Sequence, residues 1–304
     1  MNQSKQMKRL FYIWSLILIV PLVAKAQSQD KMQEAYSLYN QGMYLKASEI
    51  IDEVVESKKG KNDRVAWHIR GFIYKDIYIN IDKGDRDSEA REIAIESLKR
   101  SYQLDESGKL EVQNRKALRY LGVSYFNDAS EIIEEREEYK IDKANDKYLA
   151  YKDVILFLYS DTSLVSKDVE FYLAMSTAFR KLYEEDRENR EQYWDKSNEY
   201  LIKVLEIDPA NWAANYSLAV SHYNQGAYKL QKLPSVNDIM DLYEVQSESI
   251  RSIEMALPFM LDAYEINPEK IETIRGLKWI YFNLHREEDS QKMDNELKQM
   301  EGQN

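Results

Sequence analysis

Two segments of this chain, "LYNQGMY" at 38–44 and "HYNQGAY" at 222–228, spell Tyr-Asn-Gln-Gly-x-Tyr twice, 184 residues apart. A tetrad repeated over such a distance is either a chemical motif or the punctuation of a recurring structural unit. The surrounding composition favours the second. Only 9 Gly and 5 Pro interrupt 304 residues, while 31% are charged, 12% are aromatic and 23 are Tyr. Few breakers and many charged residues suit helices, and the aromatic content suits a packed chain rather than a disordered one.

The units can be traced through the recurrence of small and large apolar residues. From Pro209, Leu218 and Ala219 are followed by His222, Gly226 and Tyr228. The same phase places Ala35, Gly42, Tyr44, Ala47 and Ile51 in a first unit. It recurs as Trp67, Gly71, Tyr74, Ala94, Leu98 and Ser101, then as Leu118, Leu121, Gly122, Tyr125, Ala150, Val154 and Phe157. A fourth set runs Tyr172, Met175, Ser176, Phe179, Ser197, Leu201 and Val204. A fifth closes on Ala256, Met260, Ala263 and Pro268, and a sixth carries Ile274, Leu277 and Tyr281 before a polar helix with Met293, Leu297 and Met300.

This pattern resembles the tetratricopeptide repeat, a helix–turn–helix of about 34 residues. The resemblance spans nearly all of 28–302. It implies an all-α, right-handed α-solenoid of about six helical hairpins, read as one body over 27–302 with a short tail at 303–304. Small residues at repeat positions 8, 20 and 27 let helices approach, and large ones at 4, 7, 11 and 24 fill the space between them. The last polar helix fits the solvated cap of such a stack. Lys31, Glu34, Asn215, His222 and Lys278 depart from the repeat at core positions.

The repeat expects nine residues between positions 11 and 20, which Leu38 and Ala47 obey. Tyr74–Ala94, Tyr125–Ala150, Phe179–Ser197 and His222–Ala256 are separated by 20, 25, 18 and 34 instead. The extra residues therefore belong inside hairpins, along one edge, and are mostly charged and helix-compatible, the longest being more apolar. In the longest, Ser235 or Asn237 is the expected cap of a helix carrying Ile239, Met240, Leu242 and Tyr243, a stripe expected to pack on the body. Pro258 is expected to kink or restart the helix it falls in.

Residues 1–26 read as a cleaved signal peptide. Lys5, Lys8 and Arg9 precede an apolar run at 10–24 that ends in Ala24-Lys25-Ala26. The run is shorter than the roughly 20 residues of a membrane span, so no span is expected after cleavage. The expected location is periplasmic or extracellular. Without the leader's four basic residues the chain is more acidic than its full-length net charge of −11. An acidic surface makes nucleic acid an unexpected partner.

No catalytic or metal site is expected, and no cofactor. Cysteine is absent, and His68, His222 and His285 fall in different units. Asp85, Asp87, Glu89 and Glu96 match the spacing of a calcium loop, but Ala90 stands where its turn needs glycine. The stretch reads better as a helix entry capped by Asp87 or Ser88.

What the resemblance implies instead is a concave groove lined by the first helix of each hairpin. The matching positions are Tyr36, Tyr39, Asn40, His68, Phe72, Phe126, Asn127, Tyr216, Tyr223, Asn224, Trp279, Phe282 and Asn283. Four units pair an aromatic at position 12 with Asn at 13. A ring beside an amide suits an extended peptide, yet the same pair also suits packing and a helix end. The lysine and asparagine of the chaperone-binding carboxylate clamp are missing. The expected function is a non-catalytic scaffold for a protein or peptide. The alternatives are a structural subunit of an envelope assembly docking by its hairpin edge and, more weakly, glycan or small-ligand binding.

Overall fold

The structure is a computed structural model that describes residues 29–232 and 238–301. The expected leader and tail and the expected caps Ser235 and Asn237 lie outside the described residues. The fold is all-α, with no strand among the described residues. Among the described residues twelve α-helices follow in order: α1 (29–40), α2 (Tyr44–Glu56), α3 (Arg64–Asn80), α4 (Glu89–Leu104), α5 (Glu111–Glu135), α6 (Lys143–Leu158), α7 (Val165–Glu185), α8 (Glu191–Ile207), α9 (Trp212–Lys232), α10 (Ile239–Ile266), α11 (Ile271–Asn283) and α12 (Glu287–Glu301). Consecutive helices form hairpins.

The chain divides into two compact units. One runs through Ile132 and includes Lys140–Thr162; the other is Ile133–Tyr139 and everything from Ser163 on. In the first unit the expected small and large positions meet in one core, with Ala35, Ala47, Ile51, Ala94, Leu98, Leu118 and Leu121 fully buried. In the second, Leu201, Val204, Ala214 and Leu218 form one cluster, and Ala219, Ala256, Met260, Ile274 and Leu277 another. Each large side chain so buried contributes about 1.5–3 kcal/mol.

Four of the five departures from the repeat have local explanations, and Glu34 is exposed. Asn215 is buried, and its amide donates to the Pro209 and Asn211 carbonyls at 3.1 and 3.2 Å. Lys278 reaches Asp294 of α12 at 2.5 Å, and Lys31 reaches Glu53 of α2 at 2.5 Å. The ring of His222 lies between Trp194 and Phe259, at 5.3 and 6.0 Å.

The added residues inside hairpins are largely absorbed as helix length: α5 has 25 residues and α10 has 28. Three expectations need correction. The cap of α10 is Asp238, whose carboxylate accepts from the Met240 and Asp241 amides at 2.7 and 3.4 Å. Pro258 does not restart the helix, because α10 continues through it. Three members of the apolar stripe are not packed on the body, Ile239, Met240 and Tyr243 being 66%, 72% and 61% exposed, while Leu242 is partly buried. At α4, Ser88 holds the cap position but turns its hydroxyl to Asp82 at 2.5 Å, while Asp87 is ion-paired to Lys147 at 3.0 Å.

The two Tyr-Asn-Gln-Gly copies also differ. Gly42 follows the end of α1 at φ +75°, a left-handed conformation that favours glycine. Gly226 does not end its helix, since α9 runs on to Lys232. It sits where α9 crosses α10, and a Cβ there would lie 2.7 Å from both the Ser249 carbonyl oxygen and Ile253 Cγ1.

Candidate partner-binding surface

The position-12 and position-13 residues are brought together, but across neighbouring hairpins rather than within one. In the first unit the Tyr39 hydroxyl on α1 donates to Asp76 Oδ2 on α3 at 2.6 Å. In the second, Asn283 Nδ2 on α11 donates to the Tyr223 hydroxyl on α9 at 3.1 Å. Burial, reinforced by the Asp76 carboxylate, pushes the Tyr39 hydroxyl far above its ordinary pKa. Burial also raises Tyr223, with the Asn283 bond working against it. Each pair is a polar staple between successive first helices. Sequence alone pointed to Tyr-Asn neighbours as a unit; the staple instead joins residues 37 and 60 apart.

Other expected residues are likewise occupied. His68 is half-buried, with Nδ1 2.7 Å from the side-chain oxygen of Asn114, and its ring lies 4.6 Å from Phe72. Phe126 packs on Tyr148 and Tyr151 at 6.3 and 5.1 Å. Tyr216 stacks on Trp212 at 4.9 Å, and the Trp212 indole donates to Thr273 Oγ1 at 3.1 Å.

Tyr36, Asn40, Asn127, Asn224, Trp279 and Phe282 remain exposed. Trp279 and Phe282 stand edge to face at 5.9 Å, 46% and 60% exposed. Asn283, besides holding Tyr223, donates to the Trp279 carbonyl at 2.9 Å. Its amide is therefore engaged within the protein and helps fix the end of α11, leaving the two rings as the outward-facing part.

The buried His222 and the half-buried His68 imply a pH dependence of stability. Burial lowers His222, and it lowers His68 against the opposing bond from Asn114. A base with a depressed folded pKa contributes stability above its unfolded value of 6.5, lost as pH falls through the folded value. The urea midpoint should therefore fall between pH 7 and pH 5. His222→Phe, which keeps the ring contacts, should reduce that fall; an unchanged pH slope would show that His222 does not carry it.

Among the described residues no three His, Cys, Asp or Glu side chains are grouped to hold a metal ion. No helix is long and apolar enough to cross a membrane, among the residues described.

No protein-family profile matches the chain, and no curated protein matches it. Solved structures with a similar backbone include a TPR repeats protein from Bacteroides fragilis NCTC 9343. It is 16% identical with a TM-score of 0.44, over 83% of this chain and 97% of that one. A monomeric mutant of IFIT1 with Gppp-AAAA is 13% identical with a TM-score of 0.34, over 89% of this chain and 50% of that one. The human IFIT1 dimer with PPP-AAAA is 11% identical with a TM-score of 0.20, over 90% of this chain and 72% of that one.

Proposed function

We propose that the protein is a non-catalytic scaffold, exported to the cell envelope or beyond, that captures a protein or peptide partner on its first helices. The observation that carries this reading is the exposed Trp279–Phe282 pair on α11. Its backbone is held by Asn283, so the rings present rigid apolar area at little entropic cost. Such aromatic anchors concentrate binding energy at protein interfaces. Export rests on the leader-like residues 1–26 of the sequence.

Replacing both Trp279 and Phe282 by Ala should leave the thermal midpoint nearly unchanged, because neither ring belongs to the core. Partner recovered by affinity capture from the native envelope fraction should fall at least about tenfold, the loss expected of interface hot spots. Full recovery by the double variant would overturn the reading.

A second reading, docking by a hairpin edge within an envelope assembly, is favoured by the exposed apolar turns at the start of α10. Its test is Tyr243→Glu, which should release the protein from a sedimenting envelope complex while the α11 variant stays bound.

A further inference from the structure

We infer that two copies of this chain associate, the N-terminal turns of α10 on one docking against the exposed face of α5 on the other. The inference rests on the edge-docking reading and names its occupant.

The first buried residue of α10 is Ser249, so the helix begins with more than two turns outside the core. Ile239, Met240 and Tyr243 share one side of those turns, all exposed. Their neighbours are acidic: residues 238–248 contain Asp238, Asp241, Glu244 and Glu248 and no base.

A complementary surface exists on α5. Val112, Tyr120 and Val123 are 79%, 50% and 39% exposed. At 100° per residue these three fall on one side of the helix with Lys116 and Arg119, both exposed. Residues 112–123 contain Arg115, Lys116 and Arg119 and no acid, and because Arg115 is paired to Glu111 at 3.1 Å the basic character of the strip rests on Lys116 and Arg119.

A basic, apolar strip on a chain of net charge −11 is where that chain best tolerates a second acidic surface. Glu248 is paired to Lys229 at 2.7 Å, but pairing α10 with α10 would still set Asp238, Asp241 and Glu244 against their own copies, so charge selects the unlike pairing. The α10 side offers three exposed apolar residues within little more than one turn and the α5 side three over about three turns, so the contact can bury apolar area while the charges fix its register. A contact between unlike surfaces closes into a dimer when it is reciprocated and otherwise grows head to tail.

The test is light scattering and sedimentation equilibrium of the purified protein over a range of concentrations. The average mass should rise above the 36.0 kDa of one chain. Lys116→Glu with Arg119→Glu, and separately Asp241→Lys with Glu244→Lys, should each weaken association at least about tenfold, as expected for opposed charges turned to like ones. Circular dichroism spectra should match the parent, because the changed side chains are exposed; thermal midpoints should match only at dilutions where the parent too is dissociated. An equimolar mixture of the two variants retains one intact α10 and one intact α5 face, and should recover a complex containing one of each. A protein monomeric at every concentration, variants that associate as tightly as the parent, or a mixture that stays monomeric would each overturn self-association. If a monomeric protein still loses its envelope complex on Tyr243→Glu, edge docking stands and only the occupant proposed here falls.

Discussion

Arg91→Ala should destabilise the protein by about 3–5 kcal/mol, the cost of breaking a buried ion pair from one side. Arg91 is fully buried on α4. Its guanidinium donates to Asp128 Oδ2 at 2.6 Å and Ser124 Oγ at 3.2 Å, and to the Arg86 carbonyl, and it lies 3.9 Å from the centre of the Tyr125 ring. Removing it leaves the Asp128 carboxylate without its cation and the Tyr125 face without its cover. Burial outweighs Arg91 and holds the Asp128 carboxyl above its ordinary 3.8. A raised folded value means that Asp128 favours folding most below pH 3.8, and that this contribution is lost as pH rises through the raised value. At neutral pH the ionised carboxylate therefore carries a burial cost even with its partner in place.

It follows that Arg91→Met combined with Asp128→Leu should be less destabilising than the sum of the two single changes by at least about 1 kcal/mol. Urea unfolding of the four proteins measures this directly. If Arg91→Ala shifts stability by less than about 1 kcal/mol, the guanidinium is not paying the desolvation assigned to a buried charge.

The second large effect is at Gly226. Gly226→Ala should cost about 1–3 kcal/mol, the range for overpacking a filled contact, even though alanine is the better helix former. The new methyl group would press on the Ser249 carbonyl, which belongs to the backbone of α10 and cannot swing aside. Gly42→Ala meets no atom within 4 Å and should cost only the left-handed penalty, about 1–2 kcal/mol. Asparagine separates the two sites more sharply. Gly42→Asn should be tolerated, since asparagine visits the left-handed region, whereas Gly226→Asn should be worse than Gly226→Ala. Equal asparagine costs at both positions would contradict the distinct roles assigned to the two glycines.

The phase of the repeat was legible because small and large residues recur where helices must approach and fill. It correctly placed Leu118, Leu121, Met260 and Leu277 in the core. Phase could not show that one glycine of the tetrad turns the chain while its twin lies at a helix crossing. That difference depends on how far α9 continues, which its sequence does not punctuate.

Arg91 was missed although a signal was present. It stands three residues before Ala94 and seven before Leu98, in register with the buried stripe of α4, and Asp128 follows Tyr125 in the same way on α5. Two opposite charges on two apolar stripes are the mark of an interior pair. The exposure of Ile239, Met240 and Tyr243 was not legible, because an apolar stripe looks the same in sequence whether or not something packs against it.

The tyrosine staples carry one more implication. Tyr39 and Tyr223 each reach a later first helix of their own unit, whereas the same repeat position holds Lys75, Phe126, Arg180 and Phe282 in the other hairpins. Each hydroxyl thereby ties two first helices together through a single oxygen. Losing that one atom, as in Tyr39→Phe or Tyr223→Phe, would remove a tie between hairpins while leaving the ring in place.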